Sequence, residues 1–158
     1  MKFTHLKDKR INMVDISKKK MTKRTAYASS IIIFSKISFK KFLEDGSPKG
    51  EIFNTARCAG IMAAKKTSEI IPLCHNVNLS GIEINFEIDK KKFLLRVISK
   101  VNTTFSTGVE MEALTACSIA SLTIYDMCKS IDKKITITDL KLAYKKGGKS
   151  GTFENDKL

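Results

Sequence analysis

Between Leu79 and Val101 the chain alternates apolar and polar residues twice. The runs are Ile82-Glu83-Ile84-Asn85-Phe86-Glu87-Ile88 and Phe93-Leu94-Leu95-Arg96-Val97-Ile98, with only Asp89-Lys90-Lys91-Lys92 between them. Strand side chains point alternately to opposite faces, so this pattern predicts an antiparallel hairpin with one apolar and one wet face. The apolar face needs a cover, and the flanking sequence supplies helices for it. From Glu51 to Lys66, Ile52, Phe53, Ala56, Ala59, Gly60 and Ala63 recur at three- and four-residue spacing, predicting a helix with a small-residue face. A longer helix is predicted over 109–131. Strands are expected over 25–34, around Ile31-Ile32-Ile33-Phe34, and over 134–144. A short helix is read at 38–43, a loop at 44–50 where turn formers concentrate, and a second short helix capped by Thr67 or Ser68 and stopped by Pro72. These elements compose an α+β sandwich, a mainly antiparallel sheet with helices packed on one face.

A chain of 158 residues with 42% hydrophobic content suffices for one core and one domain. The expected division is a basic, partly mobile arm over 1–24, a single α+β domain over 25–146, and a flexible Gly/Lys tail over 147–158. With 29 Lys plus Arg against 16 Asp plus Glu, the formal net charge is +13, which favours an anionic partner. Cys58, Cys74, Cys117 and Cys128 form no C-x-x-C pair and sit among apolar neighbours, the pattern of reduced structural thiols. No signal peptide and no apolar run of about 18 residues is visible, so a cytoplasmic protein without a membrane span is expected.

The 109–131 helix carries Glu110, Glu112, Asp126 and Lys129 among Ala, Leu, Ile, Met and Cys residues. Charges in a core helix are costly unless paired or lining a cleft, which makes the segment a candidate site. Asp126 and Lys129 are neighbours at i,i+3, and Glu112 falls about 40° from Asp126 around an ideal helix, so the three are expected to share one cleft wall. Ordinary helix-start acids and an exposed ion pair would account for the same pattern. His75 follows a helix terminus in Pro72-Leu73-Cys74-His75, where an imidazole can act as acid, base or donor, or be a satisfied core residue. Adjacent Cys74 and His75 lack a second cluster with zinc spacing, so no metal site is assigned. Lys145-Lys146-Gly147-Gly148-Lys149-Ser150-Gly151 can wrap phosphate oxygens or be a solvated end, and Lys49 can serve a phosphate at a helix start or lie on plain surface.

Taken together, these blocks resemble the molybdenum cofactor biosynthesis protein C family, the cyclic pyranopterin monophosphate synthases. The resemblance covers most of the chain. It is carried by Met13-Val14-Asp15-Ile16-Ser17, Lys49-Gly50-Glu51, Ala56-Arg57 through Ala63-Ala64-Lys65, Ile71-Pro72-Leu73-Cys74-His75, Thr107-Gly108-Val109-Glu110-Met111-Glu112-Ala113-Leu114, Leu122 through Lys129, and Gly147-Gly148-Lys149-Ser150-Gly151. The chain departs from the family pattern at Ser106, where a lysine is usual, and at Asn76, where a proline is usual.

The resemblance implies a ferredoxin-like subunit in a homohexamer, a trimer of dimers, with sites at subunit interfaces. It implies a lyase that converts 3′,8-cyclised dihydro-GTP into cyclic pyranopterin monophosphate and pyrophosphate. It further implies Lys49 and Lys129 as acid/base groups with Asp126 setting the charge state of Lys129. Leu73, Cys74, His75, Glu110, Met111 and Glu112 would hold the purine-derived ring, and Arg24, Lys145 and Lys149 the triphosphate. No cofactor is required on this reading, and Mg²⁺ is compatible with a triphosphate substrate. A rival reading, a small basic RNA-binding module, rests on the +13 charge and the α+β pattern, but Phe93–Val101 lacks an aromatic stacking motif.

Overall fold

The computed structural model describes residues 6–7, 10–45, 47 and 49–155. The arm residues 1–5 and 8–9, Gly46 and Pro48 of the 44–50 loop, and tail residues 156–158 lie outside the described residues. Two short strands, β1 (Leu6–Lys7) and β2 (Arg10–Ile11), pair in the arm. The domain follows with β3 (Thr22–Ile33), α1 (Lys36–Glu44), α2 (Ile52–Lys65), α3 (Thr67–Ile70), β4 (Leu79–Asp89), β5 (Leu94–Phe105), α4 (Glu110–Cys128), β6 (Thr136–Lys146) and β7 (Phe153–Glu154).

The five strands form one antiparallel sheet in the order β4-β5-β3-β6-β7. Without the short β7, this is the ferredoxin-like arrangement: β3, helices, the β4–β5 hairpin, α4, then β6 beside β3. The expected hairpin forms, with Glu83 opposite Lys100 and Glu87 opposite Arg96 on the wet face. Lys100 Nζ lies 3.0 Å from Glu83 there. On the other face Leu95, Val97 and Val101 are fully buried beneath α4.

α4 is apolar on nearly every side, as a helix packed between a sheet and a neighbouring helix must be. Toward β3 it buries a small polar knot, in which Ser30 and Ser121 hydroxyls lie 2.6 Å apart and the Cys117 thiol donates to Ser30. Toward α2 it approaches closely at Gly60: a Cβ there would stand 2.8 Å from the Ala116 carbonyl oxygen and 2.3 Å from Ile84 Cδ1. At the far end of the sheet, α1 closes the core with Phe34, Phe39, Phe42, Phe53 and Phe86 in ring contact.

Three details differ from the sequence expectation. β3 begins at Thr22, so Arg24 belongs to a central strand rather than to the arm. Its alternating polar residues lack an apolar signature, but their backbone pairs with 103–105 and the Arg24 side chain is anchored on main-chain carbonyls. Thr67 does not cap α3; it lies inside the helix, and its hydroxyl donates back to the Ala63 and Ala64 carbonyls. The tail turns back after Gly151, and β7 pairs Phe153 with Lys145.

Candidate active site

The candidate residues gather at two ends of α4. At its C-terminal end Asp126 is clamped by two cations: Lys49 Nζ lies 2.6 Å from Oδ2 and Lys129 Nζ 2.6 Å from Oδ1. Lys129 arrives there because i,i+3 residues share a helix face. Lys49 arrives on the turn before α2, which is docked by Ser47 donating to the Met127 carbonyl at 2.7 Å, and Gly50 at φ +106° lets the chain enter the helix. All three side chains are about half exposed. The hydrogen bonds from Lys129 and Lys49 pull the Asp126 carboxyl down to about 2, and Asp126 in turn raises the Lys129 ammonium above its usual value. Asp126 and Lys129 are therefore both ionised at neutral pH.

At the N-terminal end of α4 lies a cleft of about 290 Å³. Glu112 is its innermost charge, only 4% exposed, and burial, reinforced by nearby Glu110, pushes its carboxyl up to about 7. Glu110 folds back over Gly108; a Cβ at that glycine would stand within 3 Å of all three carboxyl atoms. Cys74 and His75 enter on the segment following α3, and Leu73 and Met111 complete the apolar lining. Desolvation, then the Glu112 charge, raise the Cys74 thiol. His75 Nε2 is 2.7 Å from the Val14 carbonyl oxygen.

The third group adjoins this cleft. Arg24 donates from Nε to the Phe105 carbonyl at 3.0 Å and from Nη2 to the Ser106 carbonyl at 3.1 Å, immediately before the cleft residues Thr107 and Gly108. The glycine loop rests on it: Gly147 and Gly148 have φ of +102° and +76°, and a Cβ on Gly148 would stand 2.3 Å from Arg24 Nη1. Lys145 hydrogen-bonds Ser150 within the loop, and Lys149 is exposed. A cluster of cationic side chains thus borders a cleft lined by carboxyl and imidazole groups.

The expected common wall for Glu112, Asp126 and Lys129 does not exist within one chain. Glu112 and Asp126 do share an azimuth, but fourteen residues separate them by about 21 Å along the helix axis. The first is buried in the cleft and the second half exposed at the opposite end. Periodicity reports direction around a helix and is silent about distance along it. The sequence reading also assigned no role to the arm residues Val14, Ile16 and Lys19, which line the cleft together with Val77, Thr107 and Gly108. A local signal was present in Asp15-Ile16-Ser17, whose Asp15 side chain accepts from the Ser17 N–H at 2.8 Å in a compact turn. A broader concavity of about 1030 Å³ lies on the open sheet face, lined by Lys23, Tyr27, Lys100 and Tyr144 among others, and holds none of the candidate residues. Among the described residues, no three His, Cys, Asp or Glu side chains are grouped to hold a metal ion.

The MoaC family model matches residues 13–148, a span that takes in both ends of α4 and the first half of the glycine loop. The chain is 49% identical over 156 residues to the cyclic pyranopterin monophosphate synthase of Staphylococcus aureus, covering 96% of this chain and 95% of the relative. It is 46% identical over 151 residues to that of Heliobacterium modesticaldum, covering 95% of each, and 46% identical over 146 residues to that of Bordetella parapertussis, covering 92% and 91%. With a ferredoxin-like domain, the Asp126 clamp, the carboxyl cleft and matches of this length, the chain belongs to the MoaC family.

Proposed function

We propose that this protein is a cyclic pyranopterin monophosphate synthase, a lyase of molybdenum cofactor biosynthesis. It takes 3′,8-cyclised dihydro-GTP to cyclic pyranopterin monophosphate and pyrophosphate. The observation that carries the reading is the near-full-length identity of 46–49% to relatives bearing that name.

In this reading the cleft takes the purine-derived ring. The Glu110 carboxyl at the rim accepts the paired N–H donors of a guanine-like edge. Glu112, poised near 7, exists in both protonation states at neutral pH and can give or take a proton as the ring opens and recloses. The glycine loop with Lys145 and Lys149 receives the triphosphate. Arg24 holds that loop to the cleft, with Nε and Nη2 engaged by main-chain carbonyls. A ribose-derived hydroxyl attacks the α-phosphorus and gives up its proton to water, the bond from that phosphorus to pyrophosphate breaks, and the ammonium groups stabilise the departing charge. Lys129, held protonated by Asp126, serves as a proton donor or phosphate ligand, and Lys49 shares that carboxylate.

A ligand of nucleotide size does not reach across the roughly 21 Å between the two ends of α4. In this reading a second copy completes the site. Two chains related by a two-fold axis with their α4 helices antiparallel bring each cleft against the partner's clamp and make two equal sites. We place the enzyme in the cytoplasm as a homohexamer built from such pairs; all four cysteines are free thiols, the state expected in a reducing compartment. The test is incubation of the purified protein with cyclised dihydro-GTP. Release of pyrophosphate together with a pterin that becomes fluorescent on oxidation is the expected result, and a wild-type protein that yields neither refutes the assignment.

A further inference from the structure

The arm segment 13–19 crosses the cleft at the N-terminal end of α4 and contributes to it both a main-chain acceptor and a cation. Val14 and Ile16 line the cleft, and so does Lys19. The segment is held in shape by its own bonds: the Ser17 N–H donates to Asp15 Oδ1 at 2.8 Å and the Lys19 N–H to the Ile16 carbonyl at 3.0 Å. It is also pinned to the domain, since His75 Nε2 meets the Val14 carbonyl oxygen at 2.7 Å.

Two consequences follow from elementary chemistry. A carbonyl oxygen can only accept, so the proton of a neutral His75 ring sits on Nε2 and Nδ1 keeps its lone pair. Nδ1 has no hydrogen-bond partner among the described residues, which leaves it to face a ligand. Among the described residues Lys19 is the one lysine or arginine in the cleft lining, beside Glu110, Glu112 and Cys74, and it forms no ion pair with any of them. An uncommitted ammonium at the mouth of a cleft whose interior charges are carboxylic selects for a ligand carrying anionic oxygen outside and hydrogen-bond donors inside.

We propose that segment 13–19 is a working part of the binding site: the Val14 carbonyl sets the His75 tautomer, and Lys19 receives an anionic oxygen of the ligand at the cleft mouth. The choice of a nucleotide as that ligand rests on the function proposed above. The experiment separates the two. GTP binding to the full-length protein is measured by calorimetry without turnover, for wild type, Lys19→Gln, Lys19→Arg and, as a control of equal charge one residue away, Lys18→Gln. Loss of one charge-assisted hydrogen bond weakens binding about tenfold in Lys19→Gln, with arginine restoring affinity to within about threefold and Lys18→Gln unchanged. Unchanged affinity in Lys19→Gln, an equal loss in Lys18→Gln, or a wild type that does not bind GTP would each overturn the cation's role. For the imidazole, nitrogen NMR of ¹⁵N-histidine-labelled protein, with the His75 signals identified by their loss in His75→Gln, is expected to show a protonated Nε2 and a bare Nδ1. The opposite tautomer overturns the Val14 assignment. A failed turnover assay leaves these binding and tautomer results readable, and a null result here leaves turnover to be judged alone.

Discussion

Glu112 and Asp126 are carboxyl groups on one helix whose surroundings push them in opposite directions. Asp126, bonded to two ammonium groups, stays ionised down to about pH 2. Asp126→Asn keeps the shape and discards the charge, so turnover is expected to fall at least about 100-fold with the thermal midpoint and circular dichroism essentially unchanged. Glu112 has the reverse linkage. Its folded value of about 7 lies above the ordinary 4.5, so its contribution is complete below pH 4.5 and is lost as pH rises through 7. Across that window the shift amounts to roughly 3 kcal/mol of destabilisation as an upper figure. Denaturant titrations at pH 5 and pH 8 are expected to show a smaller difference in stability for Glu112→Gln than for wild type. An identical difference in the two proteins would show that the buried carboxyl is not the titrating group.

Among the elements, α2 and α4 depend on an absent side chain. The Gly60 face meets the Ala116 carbonyl and Ile84 without space for a methyl group, so Gly60→Ala is expected to cost about 1–3 kcal/mol, read as a lower urea midpoint with an unchanged slope. That small-residue face was legible from spacing alone, as were the β4–β5 hairpin and the extent of α4 to within a few residues, because periodic burial writes itself into composition. The boundary of β3 was not, since Thr22, Lys23 and Arg24 owe their strand conformation to pairing with residues eighty positions away. The candidate residues could be picked out one by one from charge in an apolar context and from family blocks. Their division between two ends of α4 could not, because it depends on rise along the helix and on where the 47–50 turn docks. Lys19 was equally hidden: one of three consecutive lysines, it is distinguished only by the way the arm folds over His75.

For the whole molecule, the separation of cleft and clamp makes a prediction that no single-chain site shares. Copies bearing His75→Ala and copies bearing Lys129→Ala are each expected to be inactive. Mixed and reassembled in equal amounts, they regain about a quarter of wild-type activity, since half of the random pairs are mixed and one of the two sites in each mixed pair is intact. Recovery of no activity, with mixed assemblies demonstrated by differently tagged chains, would return the site to one chain. The described residues contain no helix long and apolar enough to cross a membrane, and Met62, Leu122 and Ile37 are exposed on the single chain.

α4 runs from Glu110 to Cys128 as one unbroken rod. In a paired assembly each rod would belong to two reaction chambers at once, its head in one and its tail in the other. In such a pair, whatever tilted or slid the rod when one chamber filled would be delivered to its twin without any intervening relay.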